Sequence, residues 1–330
     1  MLTALYVLVI ALDLLFREAW AIAVPPNAPS GAAAVDPSVL SVSIEFFTLP
    51  GYTQIEATSN CLENLAQLRG GARPAIRIGG TTQDRATYDP ELQSAVNYTV
   101  ASPADAPDSL TYGPSFFTLA AQLQSDAVTL GLNRQLNNQA ASLAAAVQAK
   151  NTMDNLFALE LGNEPEFCVR RCQYELAKSD EPFAYCFWGT SSVFAPYYGA
   201  AFVSDFLGTD GAGVAMLDNG TSPLAAYAVY SSNSSLLRLL LINSNYYDGT
   251  ASATRSSSTF TLTGLQARSA AGKRLTAPSA TALSNVTISG SAFSTTCTHT
   301  GSAVLEDVQI APNGTLSVSL LASEALIVVL

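Results

Sequence analysis

Between Ser41 and Leu161 the sequence alternates regularly between short apolar strands and helices. The predicted strands are 41–47, 75–78, 127–132 and 156–161, and the predicted helices between them are 56–68, 114–124 and 135–149. Strands that alternate with helices build right-handed β-α-β units with parallel strands. This segment therefore predicts a parallel α/β sheet, for which a (β/α)8 TIM barrel is the leading candidate.

The pattern changes near residue 215. From Ala225 to Leu330 short apolar runs recur between Gly, Asn and Ser turns, without the periodicity of a helix. The predicted strands are 225–230, 236–242, 260–262, 286–288, 304–310, 316–321 and 325–330. Such spacing is typical of an antiparallel β-sandwich. We therefore predict an α/β plus all-β protein, with an α/β barrel domain at 38–214 and a C-terminal β-sandwich domain at 215–330.

The N-terminus has the features of a secretory signal peptide over residues 1–23. An apolar run from Leu2 to Phe16 precedes small residues around Ala19–Ala23, as signal peptides require. The uncharged start and Asp13 are atypical and leave a signal anchor as an alternative. Residues 24–37, rich in Pro and Ala, are predicted to be a linker. No later run reaches the ~18 apolar residues of a membrane span, so we expect a secreted, extracellular protein.

Composition narrows the range of partners. Hydrophobic residues make up 48% and charged residues 12% of the chain, and the net charge is −11. These values indicate a globular protein, and the absence of a basic cluster argues against nucleic acid. We expect a monomer without a cofactor. Five Asn-x-Ser/Thr sequons are candidate glycosylation sites: Asn97, Asn219, Asn233, Asn285 and Asn313.

The five cysteines do not suggest a metal site. They are Cys61, Cys168, Cys172, Cys186 and Cys297. The three central cysteines have no histidine nearby, since the one histidine is His299, and zinc sites commonly combine both residue types. We predict no metal, and leave open whether the cysteines form structural disulfides or stay as free thiols.

A candidate for acid catalysis follows the fourth predicted strand, in the run Leu161-Gly162-Asn163-Glu164-Pro165. Barrel enzymes carry catalytic groups where strands end, and glycoside hydrolysis needs a carboxylic acid to protonate the leaving oxygen. Asn163 could bond a sugar hydroxyl beside it. The alternative for an isolated Asn-Glu-Pro is a polar loop after a buried strand.

Three segments in the same order resemble the fungal β-glucuronidases of glycoside hydrolase family 79, relatives of heparanase. They are 43–46 (SIEF), 76–88 (IRIGGTTQDRATY) and 159–167 (LELGNEPEF), and the C-terminal segments 273–280 (KRLTAPSA) and 323–326 (SEAL) also match. The resemblance implies a (β/α)8 barrel with a C-terminal β-domain and retaining hydrolysis of β-glucuronides on glycans. It makes Glu164 the general acid/base and Asn163 the residue that orients the sugar 2-hydroxyl.

The same motifs contain further candidate site residues. Glu45 and Arg77 lie on the first two strands, so either is expected to bind substrate hydroxyls or to brace the catalytic glutamate. Asp84 and Arg85 are interpreted as an ion pair that closes the loop after Gly80. Tyr88 is interpreted as a packing residue rather than a sugar-stacking one. Glu160, which alternates away from Glu164, is expected to be buried and paired, or to support the site from behind.

The family's nucleophile, a glutamate at the end of the seventh barrel strand, has no counterpart in this sequence. Only 40 residues run from Glu164 to the end of the segment 196–203, which resembles the approach to the last barrel helix, whereas a barrel takes ~250 residues. The barrel is therefore predicted to be truncated to about four strand-helix units. Nearby carboxylates are poor substitutes: Glu166, Glu175, Glu181 and Asp205.

Two hypotheses follow for the function. The first is a β-glucuronidase-type hydrolase that is impaired here because its nucleophile is missing. The second is a non-catalytic, carbohydrate-binding or degenerate paralogue. A four-stranded piece of a barrel is expected to expose strand edges and an apolar inner face, so residues 38–330 are predicted to aggregate readily.

Overall fold

A computed structural model describes residues 21–37, 39–102, 105–163, 192–250 and 254–330. The chain divides into two compact units. The α/β unit comprises residues 35–209 together with 291–302. The β unit comprises the described residues up to Ala34, then 210–290 and 303–330.

Twenty strands and five α-helices occur within these ranges. The strands are β1 (Ala21–Ala23), β2 (Ala33–Ala34), β3 (Ser41–Glu45), β4 (Ala75–Gly79), β5 (Ala86–Tyr88), β6 (Val96–Tyr98), β7 (Leu110–Tyr112), β8 (Val128–Leu132), β9 (Leu156–Leu161), β10 (Gly213–Met216), β11 (Leu224–Tyr230), β12 (Leu236–Asn243), β13 (Ser257–Thr263), β14 (Ser269–Thr276), β15 (Thr287–Ile288), β16 (Ala292–Phe293), β17 (His299–Thr300), β18 (Glu306–Gln309), β19 (Leu316–Leu321) and β20 (Glu324–Val329). The helices are α1 (Leu49–Tyr52), α2 (Glu56–Leu68), α3 (Pro114–Ala121), α4 (Gln139–Thr152) and α5 (Ala195–Leu207), with 3-10 helices at Phe46–Thr48 and Thr81–Arg85.

The α/β unit is built on a four-stranded parallel sheet in the order β3-β4-β8-β9. These are the four strands predicted from the sequence, and α2, α3 and α4 follow β3, β4 and β8. Alternate residues of a strand point to the same side of the sheet, and one side of this sheet is buried. Val42, Ile44, Ile76, Ile78 and Leu130 are each at most 3% exposed. All four strands run in one direction, so their carboxyl ends share one edge of the sheet.

The opposite side of this sheet is polar, contrary to the expected apolar inner face. Ser43, Arg77 and Thr129 alternate with the buried residues of their strands and are in register across β3, β4 and β8. The exposed apolar side chains lie instead on the edge strand β9, where Phe157 is 76% and Leu161 65% exposed. Leu161 is in register with buried Leu132. Leu161 therefore lies on the same, apolar side of the sheet as Leu132.

A disulfide pairs two of the cysteines. Cys61 on α2 bonds Cys297 in the turn between β16 and β17. Asn60 and Asn64, on the same helix, donate hydrogen bonds of 2.7 Å to the carbonyls of Thr296 and Cys297. The hairpin therefore belongs to the α/β unit, although its neighbours in sequence belong to the β unit. The three central cysteines lie outside the described residues.

The β unit is a sandwich of two sheets. One has the order β1-β13-β19, and the other the order β15-β14-β20-β12-β11-β10-β2, with β18 on β14. Residues from both sheets share one core, including Phe260 and Leu320 from the first and Ala228, Leu239 and Val328 from the second. The predicted sandwich is confirmed in its strands, whereas β10 and β14 were not predicted.

The N-terminal segment is not a linker. Ala21–Ala23 pair in parallel with Thr261–Thr263, and Ala33 and Ala34 pair with β10. Val24 is 3% exposed in the sandwich core. Residues 24–34 of the predicted linker 24–37, and the last three of the proposed signal peptide, thus contribute to the β unit. The predicted boundary at 214/215 lies instead at 209/210. Within the described ranges, no helix has the length and apolarity that crossing a membrane requires.

Candidate active site

A charged pair joins the middle of β4 to the carboxyl end of β9. The Arg77 guanidinium donates to both carboxylate oxygens of Glu160, with Nε–Oε2 at 2.6 Å and Nη2–Oε1 at 2.5 Å. The two side chains are 32% and 27% exposed. This bidentate geometry fixes the plane of the guanidinium. Glu160 is paired, as predicted, but its side chain is partly exposed rather than buried.

Arg77 also determines how Asn163 is oriented. Its Nη2 donates to Asn163 Oδ1 at 3.0 Å. A guanidinium carries only donors, so the amide oxygen rather than the amide nitrogen must face it. The Asn163 NH2 group is therefore turned away from Arg77, and no residue of the described ranges is seen to accept from it. Arg77 thus holds Glu160 and Asn163, while its predicted contact with the catalytic glutamate falls on a residue outside the described ranges.

Asp84 fastens the loops at this edge of the sheet. Its Oδ1 accepts from the backbone N–H of Arg134 at 2.7 Å and of Gln135 at 3.2 Å, and its Oδ2 from that of Asn163 at 2.8 Å. The predicted Asp84–Arg85 ion pair is wrong. Arg85 instead lies 3.8 Å from Asp108 and donates to the carbonyl of Pro107. Neighbouring residues of a 3-10 helix diverge, so the two side chains serve different loops.

Gly162 brings the last described loop close to the preceding one. Its φ is +86°, and a Cβ at this position would lie 2.8 Å from Arg134 Cβ. Only glycine combines this backbone conformation with so close an approach. Gly162 N–H donates to Leu132 O at 3.0 Å. The chain is therefore held in place as far as Asn163. Glu164, the predicted acid/base, lies just beyond the described residues.

Glu45 braces the turn that follows β4. Its Oε1 accepts from the backbone N–H of Thr82 at 2.8 Å and from the Thr82 hydroxyl at 2.6 Å. A Cβ on Gly80, whose φ is +94°, would lie 1.9 Å from Glu45 Oε2. The glycine therefore makes room for the carboxylate. The structure places Glu45 at the predicted edge of the sheet. At least one of its carboxylate oxygens, Oε1, is in contact with protein.

Gln83 is the site residue that the sequence reasoning missed. It is fully buried, and its Nε2 donates weakly to Leu132 O at 3.4 Å. Its Oε1 would lie 2.6 Å from a Cβ on Gly79 and 2.2 Å from one on Gly131, and it has no hydrogen-bond partner among the described residues. The signal that could have revealed it is glycine near the end of two neighbouring strands, which leaves space for a side chain from elsewhere.

Tyr88 is a packing residue, as interpreted from the sequence. It is 7% exposed and contacts the rings of Tyr112 and Phe117 with centroids 5.5 Å apart. Burial raises the pKa of its phenol, and the neighbouring Asp89 raises it further. In the part of the chain that the structure describes, no three His, Cys, Asp or Glu side chains cluster as a metal site would require.

The arrangement is suited to binding and orienting a hydroxylated ligand beside an acid. It offers one directed amide donor at Asn163, and a backbone held on two sides immediately before Glu164. Parallel sheets bind ligands at the carboxyl ends of their strands, where these groups lie.

Comparison with known proteins identifies the class to which this fold and site belong. Residues 226–327 match the glycosyl hydrolase family 79 C-terminal beta domain. The structure is similar to a 4-O-α-L-rhamnosyl-β-D-glucuronidase of Fusarium oxysporum solved in complex with Rha-GlcA, with a TM-score of 0.82 and 30% identity over 94% of this chain and 100% of that chain. The chain belongs to glycoside hydrolase family 79, as its motifs predicted.

Two curated relatives are similar in sequence, and both are β-glucuronidases. The protein of Aspergillus niger is 35% identical over 164 residues, which is 46% of this chain. That of Neurospora crassa is 32% identical over 159 residues, or 44% of this chain. The matched regions amount to 30% and 28% of the lengths of these relatives, so the chain spans less than a third of either.

Proposed function

We propose that this chain is a glycoside hydrolase of the β-glucuronidase type for β-glucuronides of glycans, and that its retaining reaction is impaired because the nucleophile glutamate is missing. Glu164 is the general acid/base. In the retaining reaction the acid protonates the glycosidic oxygen as the bond to the aglycone breaks and a second carboxylate bonds the anomeric carbon; the same residue then removes a proton from the water that displaces this carboxylate. The observation that carries the proposal is the double restraint on Asn163, whose side chain is held by Arg77 and whose N–H is held by Asp84.

The four-stranded sheet is proposed as the first half of a (β/α)8 barrel. In support, its strands are parallel and its described order ends at β3 on one side and β9 on the other. The second half of such a barrel carries the family's nucleophile, which we expect to be missing from this chain.

A second candidate function, carbohydrate binding without hydrolysis, is favoured by the state of the described carboxylates at this edge. Glu45 accepts from Thr82, Asp84 from three backbone N–H groups and Glu160 from Arg77. A retaining nucleophile must approach the anomeric carbon with a free oxygen, ~5–5.5 Å from the acid. Asp84 and Glu160 accept on both oxygens, and Glu45 is held by Thr82 through Oε1, so each of the three already serves a structural partner.

The decisive experiment measures release of nitrophenol from 4-nitrophenyl β-D-glucuronide by the full chain. The proposal expects weak turnover, because the nucleophile is missing, and expects Glu164→Gln to abolish it. Retention of the product's initial anomeric configuration, read by NMR, would show that a second carboxylate completes the reaction. Glu63→Gln is the matched control, because Glu63 is an exposed glutamate on α2 that contacts Gln67. If folded wild-type protein binds glucuronate by calorimetry but gives no turnover, the binding function replaces the hydrolytic one.

We also propose that the protein is secreted, monomeric and N-glycosylated. In support, the five sequon asparagines Asn97, Asn219, Asn233, Asn285 and Asn313 are all exposed. A buried sequon could not carry a glycan in the folded protein. Mass spectrometry of protein from a eukaryotic host, before and after glycosidase treatment, tests occupancy at each site. Sedimentation tests the monomer.

A further inference from the structure

Asp84 has the most distinctive environment of the carboxylates at this edge of the sheet. It is 5% exposed, and none of the ion pairs within the described ranges includes it. Burying a carboxylate without partners is costly. Here three backbone N–H groups take that role, and charge-assisted bonds of this kind are stronger than those between neutral groups.

The three donors come from two different loops. Arg134 and Gln135 follow β8, and Asn163 follows β9. Asp84 itself lies in the 3-10 helix after β4. One carboxylate therefore joins the ends of three strands, and its Oδ2 bonds the residue to which Glu164 is attached.

We propose that Asp84 is a positioning residue for Asn163, the last described residue of the candidate site. It acts through the Asn163 backbone N–H, which it fixes relative to the loop after β8. This inference rests on the proposed function only for its catalytic consequence. A displacement of about 1 Å in a catalytic group can lower a rate by ~100-fold, so the position of one backbone N–H has a measurable effect.

The substitution Asp84→Asn should remove the acceptor of one of the two loops and keep that of the other. An amide has one accepting oxygen, and its NH2 group repels any N–H that it faces. If the oxygen keeps the two donors after β8, the NH2 group faces Asn163. The opposite orientation releases Arg134 and Gln135. Either way, one loop loses its acceptor while the side chain keeps its size.

Hydrogen-exchange mass spectrometry on the full chain tests this directly. In the wild type, the amides of Arg134 and Asn163 are expected to exchange at least tenfold more slowly than in an unstructured peptide. In Asp84→Asn, exchange of one of the two loops is expected to rise about tenfold. Asp218→Asn is the matched control, because Asp218 also accepts from two backbone N–H groups, those of Gly220 and Ala226. It should affect only its own loop.

The outcomes separate this inference from the proposed function. Unprotected Asn163 in the wild type, or unchanged exchange in folded Asp84→Asn, overturns the positioning role; the wild-type measurement decides even if the variant does not fold. For catalysis, Asp84→Asn should slow a phenyl glucuronide at least tenfold more than a dinitrophenyl glucuronide, whose leaving group needs little protonation. Equal losses indicate only damage to the fold. Absence of wild-type turnover refutes the hydrolase and leaves the exchange result standing.

Discussion

Arg77 on β4 and Glu160 on β9 bond each other across the intervening strand β8. Gly131, the residue of β8 in register with Glu160, has no side chain to intervene. The pair therefore depends on the sheet, since no helix or loop brings the two residues together. It also connects the sheet to Asn163, through the second bond of Arg77 Nη2.

Arg77→Lys should lower both stability and any glucuronidase activity. An ammonium cannot make the bidentate bond to Glu160 and reach Asn163 at once. Because the pair is about a third exposed, we expect a loss of about 1–2 kcal/mol in the free energy of unfolding, measured with urea. Arg73→Lys is the control, since its bond to Asp126 is exposed and worth under ~0.5 kcal/mol. Equal effects would show that the site pair has no special role.

Gly80→Ala should destabilise the turn that Glu45 braces. The new Cβ would be placed 1.9 Å from Glu45 Oε2, at a φ of +94°, so the carboxylate must leave Thr82. A loss of about 1–3 kcal/mol is expected. Gly199→Ala makes the opposite prediction, because nothing lies within 4 Å of its Cβ position on helix α5. Alanine there should add about 0.5–1 kcal/mol. A stabilised Gly80→Ala would contradict the bracing contact.

Loss of the disulfide should destabilise the α/β unit. The bond closes a loop with a sequence separation of 236 residues, and long loops gain the most from closure. Cys61→Ser is expected to cost about 2–4 kcal/mol, and Cys61→Ser with Cys297→Ser about the same. Peptide mapping under non-reducing conditions should find Cys61 linked to Cys297. Finding either residue linked to a central cysteine would refute the pairing.

Alkaline pH should unfold the protein through its buried tyrosines. Burial raises the pKa of both Tyr112 and Tyr197, whereas an unfolded tyrosine titrates near ~10. Above pH ~10 the unfolded chain releases these protons and the folded chain retains them, so stability falls as the pH rises further; below that pH the shift has no effect. Circular dichroism against pH gives the midpoint. Tyr112→Phe removes one titrating phenol and should raise the pH midpoint of unfolding, once any loss of stability from altered packing is subtracted. Tyr246→Phe changes a side chain that is 70% exposed and should leave the midpoint unchanged.

The exposed apolar face of β9 should drive association. Replacing Phe157 and Leu161 with threonine removes two side chains that are 76% and 65% exposed. We expect slower aggregation by light scattering and weaker binding of a hydrophobic dye, with unfolding free energy changed by less than ~0.5 kcal/mol. Ile76→Thr is the contrasting variant, because Ile76 is 1% exposed. This variant should lose about 2–4 kcal/mol in the free energy of unfolding. Aggregation that does not change would place the association surface elsewhere.

Periodicity alone predicted the four strands of the parallel sheet and the helices α2, α3 and α4, because the strands are buried on one side and the helices carry apolar residues at helical spacing. It did not predict α1 or the short strands β5, β6 and β7. It predicted α2 over residues 56–68, with the bounds observed. It failed for the N-terminal segment, since short runs of Ala, Ile and Pro carry little pattern. Their pairing with β13 and β10 depends on residues more than 150 positions away. The polar side of the sheet was also not predicted, because a strand's pattern does not say what its second face meets.

For the site, the sequence by itself determined the class of chemistry: a glutamate after an asparagine at a strand end, within motifs of a glycosidase family. The tertiary structure decided what holds those residues. Asp84 does not pair with its neighbour Arg85, but accepts from backbone N–H groups 50 to 79 positions away. Gln83 lies over two glycines from different strands. Such contacts arise from the register of parallel strands whose partners are far apart in the chain, so they become visible only once the sheet has formed.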